Sequence, residues 1–87
     1  MAAKRSTFME VLDLRGLKCP LPALFARRAL ARTAAGGMVE VVSDDPLAAV
    51  DVPHMCNEEG HEVLATERVD AAVRFVLRRS GESGPQV

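Results

Sequence analysis

The chain has 87 residues, enough for one domain with a thin core, and that core is built from Val, Leu, Ala and Met because there are three Phe and no Trp or Tyr. A formal net charge of -1, from 11 Lys and Arg against 12 Asp and Glu, argues against a nucleic-acid binder that works through phosphate contacts. No apolar run reaches the length of a membrane span and nothing reads as a signal peptide, so the expected setting is the cytoplasm, with Cys19 and Cys56 as two thiols rather than a disulfide.

Taken in order, residues 1–7 read as a loose tail, residues 8–79 as one domain and residues 80–87, rich in Gly, Ser and Pro, as a second tail. Residues 8–13 alternate in part and predict a strand with Val11 and Leu12 at its centre. A turn pivoting on Gly16 follows, and a helix is expected from Pro20 to about residue 35, stopped by Gly36-Gly37. Residues 38–43 form an apolar second strand, broken by Ser43-Asp44-Asp45-Pro46. A second helix over about 46–59 is expected in two pieces, with Pro53 interrupting it and Asp51 capping the second piece; Gly60 ends it. Residues 62–67 and 72–79 read as two strands joined by a turn near 68–70. The order β-α-β-α-β-β predicts an α/β (α+β) two-layer sandwich, a four-stranded mixed sheet with both helices on one face.

The most informative stretch is Cys19-Pro20-Leu21-Pro22. Pro20 suits a first helical position, and the residue before a proline is pushed out of the α region, so Cys19 is expected just outside the helix as its cap. The thiol then stands at the positive end of a helix dipole. That dipole is worth roughly 0.3–1 kcal/mol at an exposed end, against about 1.4 kcal/mol per pKa unit, so it predicts a mild lowering of the Cys19 pKa. Around the first helix Pro22, Ala23, Ala26, Ala29, Leu30, Thr33 and Ala34 share a small-residue face that suits packing on a sheet. Arg27, Arg28 and Arg32 fall opposite, together with Leu21 and Leu24 one turn from Cys19. This face is either a docking spot for a partner with an acidic rim or a solvated basic surface.

His54, Cys56 and His61 are close in sequence, but positions 54 and 56 point to different sides of a helix and no fourth ligand is near, so no metal site and no cofactor are expected. Cys56 reads as a core-facing thiol, His61 as a hydrogen-bonding partner of backbone or carboxylate, His54 as exposed, and Asp44-Asp45 as a turn and helix-cap pair.

Leu12-Asp13-Leu14-Arg15-Gly16-Leu17-Lys18-Cys19-Pro20-Leu21-Pro22, then Ser43-Asp44-Asp45-Pro46, then Asp51-Val52-Pro53 with Cys56, then Gly60-His61-Glu62, resemble the TusA/SirA-like family of small sulfur carriers. The resemblance runs from Leu12 to about Arg79 and departs at Met55, where the family often has an aromatic. It implies the same two-layer sandwich and a Cys19 that carries sulfane sulfur as a persulfide. It also implies a donor protein (a cysteine desulfurase or a rhodanese) and an acceptor protein. The face of the first helix then offers Lys18, Leu21, Leu24, Arg27 and Arg28 as the surface they would meet, with Gly16, Pro20 and Pro22 shaping the corner. A monomer is expected. The pathway served is left open among tRNA thiolation, molybdenum-cofactor sulfur supply and sulfur oxidation. The competing readings are a non-catalytic regulatory or interaction module on the same fold, and a thiol redox enzyme, against which the missing Cys-x-x-Cys speaks.

Overall fold

The computed structural model describes residues 9–80. The chain runs through β1 (Met9–Asp13), α1 (Leu21–Ala31), β2 (Met38–Ser43), α2 (Ala48–Glu59), β3 (Glu62–Val69) and β4 (Ala72–Arg78). Phe8 and the expected tails, Ser80 excepted, lie outside the described residues.

The strands form one sheet in the order β1-β2-β4-β3. β1 and β2 are parallel, with Met9 opposite Met38 and Asp13 opposite Val42. β4 pairs antiparallel with both β2 and β3, which makes the sheet mixed. Strand alternation decides the faces. Val39 and Val41 of β2 lie opposite Leu77 and Phe75 of β4, and all four are fully buried. They join Ala26, Ala29 and Leu30 from α1 and Val52, Met55 and Cys56 from α2 in one apolar cluster. Both helices therefore cover one face of the sheet, as the element order predicts. The β3–β4 hairpin closes through Asp70 and Ala71, with Asp70 at φ 54, one of the few non-glycine types that tolerate that region.

Two helix boundaries differ from expectation. α1 stops at Ala31 rather than near residue 35. The Thr33 hydroxyl donates to the Ala29 carbonyl at 2.6 Å, and the Arg79 guanidinium donates to the carbonyls of Leu30, Ala31 and Thr33 at 3.3, 3.0 and 2.8 Å. The orphan carbonyls of the last turn are thus satisfied without further helix. Pro22, Ala26, Ala29 and Leu30 are buried as expected, while Ala34, beyond the helix, is exposed. α2, by contrast, is continuous through Pro53. The proline removes one N–H and leaves the carbonyl of exposed Ala49 without its helical donor, a loss outweighed by burial of Val52, Met55 and Cys56 around it. Asp51 is accordingly not a cap; it lies inside the first turns of α2. Gly60, at φ 84, ends this helix in the left-handed conformation that favours glycine, and the His61 N–H closes it onto the Cys56 carbonyl at 2.8 Å.

Candidate functional site

The segment between β1 and α1 is held from both ends. At its start the Leu14 N–H continues the sheet by donating to the Val42 carbonyl at 2.8 Å, and the Leu14 side chain is buried. Arg15 pairs with Asp13 through two contacts of 2.8 and 2.7 Å, and this guanidinium holds the exposed Asp13 carboxyl down to about 2. Gly16 turns the chain at φ 90, and its N–H donates to Asp44 Oδ1 at 3.0 Å. The Cys19 N–H donates to Asp45 Oδ2 at 2.5 Å. Asp45 is itself buried, and its other oxygen accepts from the Leu47 N–H at 3.4 Å. The Asp-Asp-Pro turn after β2 therefore clamps the cysteine loop while starting α2. Its two acids do more than shape a turn, and Asp45 does not cap the helix in the ordinary sense: the cap position is Leu47.

At the far end the Cys19-Pro20 bond is cis, and the Leu21 N–H donates back to the Lys18 carbonyl at 2.8 Å. The first helical bond runs from the Leu24 N–H to the Pro20 carbonyl, so Pro20 occupies the cap position and Leu21 the first helical one. This corrects the expectation that Cys19 caps the helix with Pro20 inside it; the tight Lys18–Leu21 turn shifts the start by one residue. Pro22, in the first turn, is buried against the core.

Cys19 is exposed, and its Sγ–H donates to Asp51 Oδ2 at 2.6 Å. The expected lowering of its pKa is reversed. The thiol is pushed up, first by this hydrogen bond and then by partial desolvation and the negative charges of Asp51 and Asp45. Forming the thiolate would place two anions in contact, which disfavours it.

Leu21 and Leu24 are exposed on α1, as expected, and Lys18 is exposed beside the thiol. The structure adds Leu47 and Val50, exposed by 54% and 64% at the start of α2 beside Asp51 in the chain. The arginines do not form an undivided basic face. Arg27 lies 3.8 Å from Glu59, Arg32 pairs with Glu10 at 2.7 Å, and Arg28 lies over the Phe25 ring at 5.9 Å. Such surface pairs are weak and leave the charges available to a partner.

Cys56 is buried in the core, as its sequence context predicts, and burial pushes its thiol up to about 11. His61 Nδ1 accepts from the Ser80 N–H at 3.1 Å, which fixes the ring as a backbone tie, and burial pushes its pKa down. His54 is exposed beside Glu58 at 3.6 Å. Among the described residues no group of three or more His, Cys, Asp or Glu is placed to hold a metal ion, and no helix is long and apolar enough to cross a membrane.

A family model described as Sulfurtransferase TusA matches residues 10–79. The chain belongs to the TusA family. The sulfur carrier protein TusA of Pseudomonas putida (strain GB-1) is 33% identical over 72 residues, covering 83% of this chain and 90% of that protein. A protein of Archaeoglobus fulgidus described as a sulfur carrier protein is 35% identical over 71 residues, covering 80% of this chain and 92% of that protein. The crystal structure of a SirA-like protein from Desulfitobacterium hafniense superposes with a TM-score of 0.71 at 25% identity, covering 83% of this chain and 97% of that one. The TusA match spans every element of the site, from Arg15 to Asp51.

Proposed function

We propose that this protein is a cytoplasmic sulfur carrier that holds sulfane sulfur as a persulfide on Cys19. The observation that carries the reading is the geometry of that residue. Its thiol is exposed while its backbone is clamped by Asp45 and the turn into α1, inside a region matched by a family whose relatives are described as sulfur carriers. The chemistry needs no redox partner. The Cys19 sulfur attacks the terminal sulfur of a donor's persulfide; the Sγ–S bond forms, the donor's S–S bond breaks, the donor leaves as its thiolate, and the Cys19 proton passes to a base. Delivery is the same exchange in reverse order, with an acceptor thiolate taking the terminal sulfur and Cys19 leaving. Donor (a cysteine desulfurase or a rhodanese) and acceptor meet the carrier, a monomer, on the surface formed by Lys18, Leu21, Leu24, Arg27 and Arg28, with Gly16, Pro20 and Pro22 setting its shape.

Labelling by a persulfide donor is the test. Cys19→Ser is expected to abolish it, and Cys56→Ser, a buried thiol, to leave it largely intact. Equal labelling of the Cys19→Ser protein would contradict the proposal.

A further inference from the structure

We propose that Asp51 is a positioning residue that latches Cys19 in its thiol form, so that the free carrier is slow to react with sulfur electrophiles and oxidants it meets in solution. The inference deepens the sulfur-carrier reading and rests on it for its biological meaning, though not for its test. Asp51 comes from the first turns of α2 and Cys19 from the loop before α1, yet Asp51 Oδ2 lies 2.6 Å from Cys19 Sγ. The thiol has one proton to donate, and this carboxylate takes it as a hydrogen bond. The other nearby charge is also negative: Asp45, on the β2–α2 turn, accepts from the Cys19 N–H. Lys18 and Arg15 are the cations of the loop itself, and Arg15 is engaged by Asp13. From α1, Arg27 and Arg28 are turned to Glu59 and Phe25. Both hydrogen-bond partners of Cys19, at its thiol and at its N–H, are thus carboxylates, which disfavour the thiolate.

Seven acids elsewhere in the fold are paired with cations, while Asp44 and Asp45 accept backbone N–H groups. Glu10, Asp13, Glu40, Glu58, Glu59, Glu62 and Glu67 each sit within 4.0 Å of an Arg or His, whereas among the described residues no such ion pair is made by Asp51. Its contact with a side-chain donor is the thiol. A donor protein that sets a cation against Asp51 neutralises the carboxylate and releases the thiolate on docking, which ties reactivity to the correct partner.

The size of the effect follows from two opposing tendencies. Well below its pKa, a thiol gains about tenfold in thiolate for each unit the pKa falls. A less basic thiolate is a weaker nucleophile, with a Brønsted coefficient of about 0.4–0.5, so the net gain is about threefold per unit. The experiment is the pH profile of Cys19 alkylation by iodoacetamide, read on the Cys19 peptide by mass, for the wild-type chain and Asp51→Asn. Asn keeps the shape and removes the charge. Asp51→Asn is expected to alkylate about threefold faster or more at neutral pH, with its profile moved to lower pH, while Asp51→Glu restores slow alkylation. The wild-type profile alone must have its midpoint above the value of about 8.5 for a free cysteine, a requirement that survives if the variants fold poorly. An unchanged or slower Asp51→Asn, or a wild-type midpoint at or below the free value, overturns the latch. Alkylation uses no sulfur donor, so failure of persulfide loading on Cys19 would reject the carrier reading and leave this result standing.

Discussion

At the scale of single residues, the thiol was legible and its environment was not. Cys19 declares itself through its prolines and its place before a helical pattern. Its partners Asp45 and Asp51 lie 26 and 32 positions away along the chain, and periodicity in a sequence carries no information about contacts of that span. The sequence shows a helix end, which points to a lowered pKa, and hides the facing carboxylate, which pushes the thiol up. A partial signal for Asp51 is its place one turn before the buried Met55, which puts it at the edge of the core-facing side of α2. Asp45 is buried and carries the Cys19 N–H, so Asp45→Ala leaves that donor without a partner and is expected to cost about 1–3 kcal/mol, seen as a lower urea midpoint. Cys56 gives a pH prediction. Its folded pKa, about 11, stands above that of the unfolded thiol, so the folded state holds the proton longer. Its contribution is complete below about 8.5 and is lost as pH rises through about 11. Unfolding followed across that range should show wild-type stability falling more steeply than that of Cys56→Ala, a variant less stable overall; parallel curves would assign the loss to other groups.

At the scale of elements, types were legible and ends were not. Hydrophobic period and Gly or Pro breakers place all six elements, and the small-residue face of α1 does lie on the sheet. The errors at the ends have tertiary causes. Arg79, from beyond β4, closes α1 early by taking three of its carbonyls, and the strand-like bonds between Arg79 and Gly36 and Gly37 bring it there. Arg79→Ala is therefore expected to cost about 1–3 kcal/mol and to fray the last turn of α1, readable as faster amide exchange at Arg32 and Thr33 with little change in α2. Pro53 was expected to break α2, and packing of the flanking Val52, Met55 and Cys56 overrides it. Pro53→Ala restores a donor for the Ala49 carbonyl and should raise the thermal midpoint without altering Cys19 chemistry.

At the scale of the whole molecule, the layer arrangement and the parallel β1–β2 pair followed from element order, and so did the final hairpin. The insertion of β4 between β2 and β3 did not, because pairing between strands distant in sequence is set by which buried faces match: Val39 with Leu77 and Val41 with Phe75. Because β1 and β2 are parallel and each leads into a helix, the starts of α1 and α2 lie at one end of the sheet, where Cys19 meets Asp51; Leu21 and Leu24 on α1 and Leu47 and Val50 at the start of α2 are exposed apolar residues. If donor and acceptor dock there, reversing Arg27 and Arg28 to Glu should slow sulfur transfer and flatten its salt dependence, since rim charges act mainly on association. Leu24→Ala should weaken the complex by about 1 kcal/mol or more. Transfer rates unchanged in both variants at two ionic strengths would place docking on the Asp44-Asp45 side. All of this depends on where the sulfur is held, and the direct measurement is peptide mass after the wild-type chain is incubated with a cysteine desulfurase and cysteine. A gain of one sulfur atom on the Cys19 peptide, removed by a thiol reductant, is the predicted result; sulfur found on Cys56 instead, or no gain while the desulfurase turns over, would contradict it.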